Sequence, residues 1–149
     1  MPSRETLIAQ LREFLQDYAA KNILTGEMEF SDEELSRALD WAADDFNSTP
    51  PILEPYTPEN FPSISLLMKG AALYLLRSSL IRRARNMVIV QDGATALQPQ
   101  VNAQMIGTIL QELKQDWEMA KRQLKVSLNI AKGFDTGSGG WRLDSGYFK

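Results

Sequence analysis

FSDEELSRALDWAADDFNSTPP occupies residues 30–51, and its residues mark one helix from start to stop. Ser31 and Glu34 stand at capping-box spacing: the Ser31 hydroxyl accepts from an early helix N–H, while the Glu34 carboxylate reaches back to the Ser31 backbone N–H. Asp32 and Glu33 put negative charge where the helix dipole is positive. Leu35, Ala38, Leu39, Ala42 and Phe46 recur at three and four, which predicts one buried stripe. Pro50 and Pro51 stop the helix by removing donors and forcing extension upstream. A helix with one apolar stripe must bury it against other elements, and here the neighbours also read as helices.

Upstream, Leu7, Ile8, Leu11, Phe14, Leu15 and Tyr18 predict a helix from Ser3 to about Tyr18, with Gly26 in the following KNILTGEMEF as its break. Downstream, residues 47–62 hold five of the seven prolines and predict a stiff, extended surface connector. Residues 63–86 form a long helix whose first half, ISLLMKGAALYLL, is apolar nearly all round. That pattern suits a helix enclosed by others or sandwiched between subunits. Its second half carries Arg77, Arg82, Arg83 and Arg85. In MVIVQDGATAL, at 87–97, β-branched residues flank Asp92-Gly93 and predict a small hairpin. Residues 100–132 form the longest helix, roughly 50 Å, with a stripe of Val101, Met105, Ile109, Leu113, Trp117, Ala120, Leu124, Leu128 and Ala131. Gly133 is its expected cap.

The stretch from Gly133 to Lys149, GFDTGSGGWRLDSGYFK, combines glycine with Phe134, Trp141, Tyr147 and Phe148. Glycine and serine predict a flexible arm, and the aromatics predict anchors for pockets on another molecule. The fold class is thus mainly α. A bundle of about four helices spans 1–132, with a small β-hairpin at about 87–97, followed by an extended C-terminal arm at 133–149.

Composition narrows the function. The chain has no cysteine and no histidine, which excludes disulfides, thiolate metal sites, a Ser-His-Asp triad and the commonest general base. No catalytic, cofactor-binding or metal-ligating set stands out, and the expectation is a protein that is not an enzyme and carries no cofactor. Asp40 and Asp44 lie one helical turn apart but lack the spacing of a calcium loop, so they read as a solvated face. The start of the sequence lacks the apolar core of a signal peptide, and the apolar run Ile64–Leu76 is broken by Lys69 and too short for a bilayer, so a soluble protein without a membrane partner is expected.

Charge is uneven. Residues 1–60 carry four basic and thirteen acidic side chains, net −9; residues 61–149 carry twelve and six, net +6; together they give −3. Held at opposite ends of the fold, these halves would attract neighbouring copies head to tail; mixed by the fold, they would cancel. Arg77, Arg82, Arg83 and Arg85, with Asp40 and Asp44, are the expected subunit-interface charges, because guanidinium groups suit interface pairs with carboxylates.

FSDEELSRALDWAADDFNSTPP at 30–51 and LKVSLNIAKGF at 124–134, running into GGWRLDSGYF, together with the long apolar third helix, resemble the head–tail connector (adaptor, or neck) proteins of long-tailed double-stranded-DNA bacteriophages. The resemblance implies a helical-bundle subunit of the virion neck, made in the host cytoplasm. Copies would assemble as a ring, typically a dodecamer, beneath the portal protein. The ring would extend the DNA channel, with DNA passing through unbound by sequence, and dock the next neck or tail-completion protein. Phe134, Trp141, Arg142, Tyr147 and Phe148 would grip the portal or a neighbouring subunit. The alternative is a small helical DNA-binding or packaging protein, similar to a terminase small subunit, using Arg82, Arg83 and Arg85 on phosphates; steep salt-dependent DNA affinity would favour it.

Overall fold

A computed structural model of the chain describes residues 1–22, 26–85 and 99–137. The expected hairpin at 87–97 and residues 138–149 of the expected arm lie outside the described residues. Four α-helices make up the rest, and no strand occurs among the described residues: α1 (Arg4–Leu15), α2 (Asp32–Ser48), α3 (Ile64–Arg85) and α4 (Pro99–Gly137).

α2 begins as its sequence dictates. The Glu34 backbone N–H donates to the Ser31 hydroxyl at 3.2 Å, and the Ser31 N–H donates to the Glu34 carboxylate at 2.8 Å. The five stripe residues are all buried, joined by Ala43. α1 is shorter than expected. It stops at Gln16, which adopts a left-handed conformation with φ 56°. The physical reason is Asp17, whose carboxylate is drawn into the turn and accepts from the backbone N–H groups of Glu29 and Phe30 at 2.7 and 3.0 Å. Leu7 and Leu11 are buried, but Phe14 and Tyr18, expected in the same stripe, are exposed.

The proline-rich segment does more than connect. Asn47 closes it like a clasp: its side-chain amide donates to the Tyr56 carbonyl at 2.8 Å, and its side-chain oxygen accepts from the Tyr56 N–H at 2.9 Å. A short 3₁₀ turn at Pro58–Asn60 follows. Phe61 and Tyr56 set their rings edge-on to Phe46, with centroids 4.8 and 5.9 Å away. Edge-to-face rings in contact add to the burial of their area.

α3 is the central element and packs against α1, α2 and α4. Leu66, Leu67, Met68, Ala71, Ala72 and Leu75 are buried. By length and composition alone, Ile64–Arg82 is apolar enough to cross a membrane, a longer span than the expected Ile64–Leu76. Neighbouring helices account for that composition, since a helix enclosed by others is apolar all round.

α4 lies on both α2 and α3. Trp117, 1% exposed, sits over Gly70, where an added Cβ would come within 2.8 Å of its ring atoms. Glycine at 70 is what lets α3 and α4 approach. The direction of α4 follows from its partners: Trp117 and Lys121 bond Asp45, Lys125 reaches the Asn47 carbonyl, and Lys132 reaches Glu54. It therefore runs parallel to α2. α2 and α3 are antiparallel, with Trp41 beside Tyr74 and Glu29 beside Ser79 and Arg82.

α4 corrects two expectations. It does not stop at Gly133 but continues to Gly137. A helical glycine costs about 1 kcal/mol relative to alanine, too little to end a long helix. Its buried face also differs from the expected stripe. Trp117, Lys121 and Lys125 face inward, with Leu124 and Leu128 half-buried, whereas Met105, Ile109 and Ala131 are exposed.

Candidate assembly surface

Several charged groups are used between elements of the bundle. The Asp45 carboxylate accepts from the Trp117 indole N–H at 2.8 Å and the Lys121 ammonium at 2.7 Å, and Lys121 also reaches Glu118 at 3.0 Å. Lys125 is fully buried. Its ammonium sits 4.6 Å from the Phe46 ring centroid and 3.4 Å from the Asn47 carbonyl, and burial pulls its pKa below the ordinary lysine value. The acidic and basic parts of the sequence thus interleave. Lys121–Asp45, Arg82–Glu29 and Lys132–Glu54 each join a basic residue of α3 or α4 to an acidic residue of the first sixty. The side chains buried here lock helices together. Among the described residues there is no group of three or more carboxylates that could hold a metal ion.

Two surfaces stand out among the described residues. The first is a groove of about 670 Å³ between the outer faces of α2 and α3. Trp41, 49% exposed, and Tyr74 form its floor, with ring centroids 5.8 Å apart. The exposed Ile81 lies at one end and Ser48 at the other, with Asp44 and Arg77 on the rim. Burial raises the Tyr74 pKa above its ordinary value. The negative charge of Asp45 raises it further, and the cationic Arg77 opposes this. The phenol is therefore neutral at physiological pH and available as a donor.

The second surface is the outer side of α4. Met105, Ile109, Met119, Val126, Ile130 and Phe134 are all exposed, and they recur at three- and four-residue multiples along a helix of 39 residues, about 58 Å long. At about 100° per residue, the middle of this row lies roughly 130° around the helix from Trp117.

The expected site residues fall in different places. Asp44 and Arg77 share the groove. Asp40 does not: it is bonded to Arg4 of α1, which also reaches Glu59. Arg82 is held 3.5 Å from Glu29 and stacks over Phe30. Arg85 is exposed, and the Arg83 side chain lies outside the described residues. Phe134 stands exposed on α4 as part of the helix. Trp141, Arg142, Tyr147 and Phe148 lie outside the described residues. Sequence reasoning missed the Trp41–Tyr74 floor. Its signal was available, because Trp41 falls off the Leu35–Phe46 stripe and is the one large apolar residue on the far side of α2.

No family model, curated protein or solved structure matches the chain.

Proposed function

We propose that this chain is a structural subunit of a virion neck: a head–tail connector that assembles as a ring beneath a portal, continues the DNA channel and docks the next neck or tail component. One observation carries the proposal. α4 leaves Met105, Ile109, Met119, Val126, Ile130 and Phe134 uncovered along its length. Exposed Glu112, Asp116 and Gln123 interrupt the row, but Val126, Ile130 and Phe134 follow one another at four-residue steps, and an unbroken apolar run of that kind marks a surface made for a partner. A subunit ringed by copies of itself needs two such faces, one for each neighbour, and the α2–α3 groove supplies a second. The polar groups of Asp17, Asp45 and Lys121 are spent on contacts that tie the elements together. Arg82, which the DNA-binding alternative would use on phosphate, is engaged with Glu29.

The test is deletion of residues 138–149 from the purified chain, with binding measured against the portal ring of the same virus. The helical circular dichroism is expected to persist while multi-copy binding to the portal is lost. A truncated chain that still loads the portal at full stoichiometry contradicts the part assigned to that segment.

A further inference from the structure

We propose that the acidic end of the α2–α3 groove receives a single arginine side chain presented by a partner protein, its guanidinium laid on the Trp41 ring and paired with Asp44. This rests on the reading of the groove as a partner face and names the chemistry that enters it.

The first support is shape. The Trp41 and Tyr74 rings, with centroids 5.8 Å apart, meet at 52° rather than stacking, and Trp41 is 49% exposed. The pair forms an open V with ring face uncovered. An aromatic face attracts a cation within about 6 Å of its centroid, and a planar guanidinium also stacks on it. The chain makes that contact elsewhere for itself, with Arg82 over Phe30 and Lys125 over Phe46. At about 670 Å³, the groove has room for the aliphatic stem of an arginine and the backbone that bears it.

The second support is charge. Asp44 is exposed on the rim and in no ion pair among the described residues. Asp45 lines the groove as well. Its Oδ2 takes both the Trp117 indole and the Lys121 ammonium, and its Oδ1 accepts no hydrogen bond among the described residues. Tyr74 reports the balance. Burial raises its pKa first and Asp45 next; Arg77 lowers it, and Glu118 and Asp44 raise it again. The Asp45 carboxylate alone outweighs Arg77 there, so the field at the phenol favours a cation.

Arg77 narrows the choice of partner. Asp44 is three residues past Trp41 on α2, and Arg77 is three past Tyr74 on α3. The helices are antiparallel, so the two charges stand ~9 Å apart along the groove. That is about one Debye length at physiological salt, which screens Arg77 from a cation at the Asp44 end. A second cation farther along would meet Arg77 directly. The groove therefore selects a lone arginine and turns away a polybasic segment, while Asp44 and Asp45 turn away a phosphate backbone.

The probe is Nα-acetyl-arginine amide, added to the full-length chain without portal. The readout is the Trp41 indole N–H in a nitrogen–proton NMR spectrum, a signal assigned by its loss in Trp41→Phe. The expected result is a saturable shift with a Kd in the millimolar range. Nα-acetyl-citrulline amide, similar in shape but uncharged, should bind about fivefold more weakly, and Nα-acetyl-lysine amide about threefold more weakly. Asp44→Asn should weaken arginine binding about fivefold, and Arg77→Glu should tighten it about threefold. Glu112→Gln, at an exposed carboxylate of α4, should leave it unchanged. Several results overturn the proposal: no saturable shift, a citrulline or lysine analogue bound as tightly as arginine, a Kd indifferent to Asp44→Asn, no tightening in Arg77→Glu, or an equal loss in Glu112→Gln, the mark of diffuse attraction to any surface carboxylate. No portal is present in this experiment, so its failure leaves the connector reading standing, and failure to load a portal leaves the arginine site standing.

Discussion

Asp17 is 4% exposed, yet its carboxylate is fully occupied. Besides the Glu29 and Phe30 N–H groups it accepts from Asn22 at 2.9 Å and from Arg12 at 3.1 Å. Burial alone would raise its pKa. The backbone donors of Glu29 and Phe30, then Asn22 and the Arg12 charge, outweigh that and leave it below 3.8. The folded value is therefore below the unfolded one, so the stability this group contributes is complete above about pH 4 and is lost as pH falls through the folded value. Asp17→Ala should cost about 3 kcal/mol at pH 7, because buried donors lose their acceptor. In urea melts at pH 7, 4 and 2.5, the gap between the natural chain and this variant should shrink with acid; a constant gap would rule the linkage out. Lys125 is the opposite case, a buried cation with a ring face and one carbonyl for company. Lys125→Met should leave the fold as stable or stabilise it by up to about 2 kcal/mol, read from the same melts. A loss above about 1 kcal/mol would mean that its contacts with Phe46 and Asn47 outweigh its desolvation. Neither residue announced itself in the sequence, where Asp17 falls within the expected first helix and Lys125 off the expected stripe of the last. Their roles arise from residues that the fold brings from elsewhere, Glu29 and Phe30 for one and Phe46 for the other.

At the scale of elements, two helical glycines make a controlled contrast. Gly70 lies against Trp117 with no room for a methyl group, whereas Gly133 has nothing within 4 Å of where a Cβ would sit. Gly70→Ala should destabilise by about 1–3 kcal/mol through overpacking. Gly133→Ala should stabilise α4 by about 0.5–1 kcal/mol. Thermal melts of the two variants should move in opposite directions, and a fall in both would contradict this contrast. The start of α2 was legible because a capping box is local chemistry, settled within four residues. The end of α1 was not, because Asp17 takes its partners from the Glu29–Phe30 strand of chain beyond it. The buried face of α4 was misjudged because periodicity selects apolar residues. Here Lys121 and Lys125 occupy the inward positions, with Asp45 and Phe46 to receive them, and Met105 and Ile109 are left outside.

On the scale of the whole molecule, composition and periodicity disclosed a mainly helical protein. They did not disclose how charge would be arranged. The sequence divides into an acidic part and a basic part, and the fold joins them in at least three ion pairs, Lys121–Asp45, Arg82–Glu29 and Lys132–Glu54. Among the described residues, the outer row of α4 and the Trp41–Tyr74 floor stay exposed. The direct measurement is native mass spectrometry of the chain mixed with portal rings of the same virus, for the natural chain and for a Met119→Glu/Val126→Glu variant. Both positions are exposed, so the variant should fold. The account predicts one symmetric complex with many copies of the natural chain per portal ring and a variant that stays monomeric. A natural chain that stays monomeric at every ratio, or a variant that assembles equally well, would contradict it.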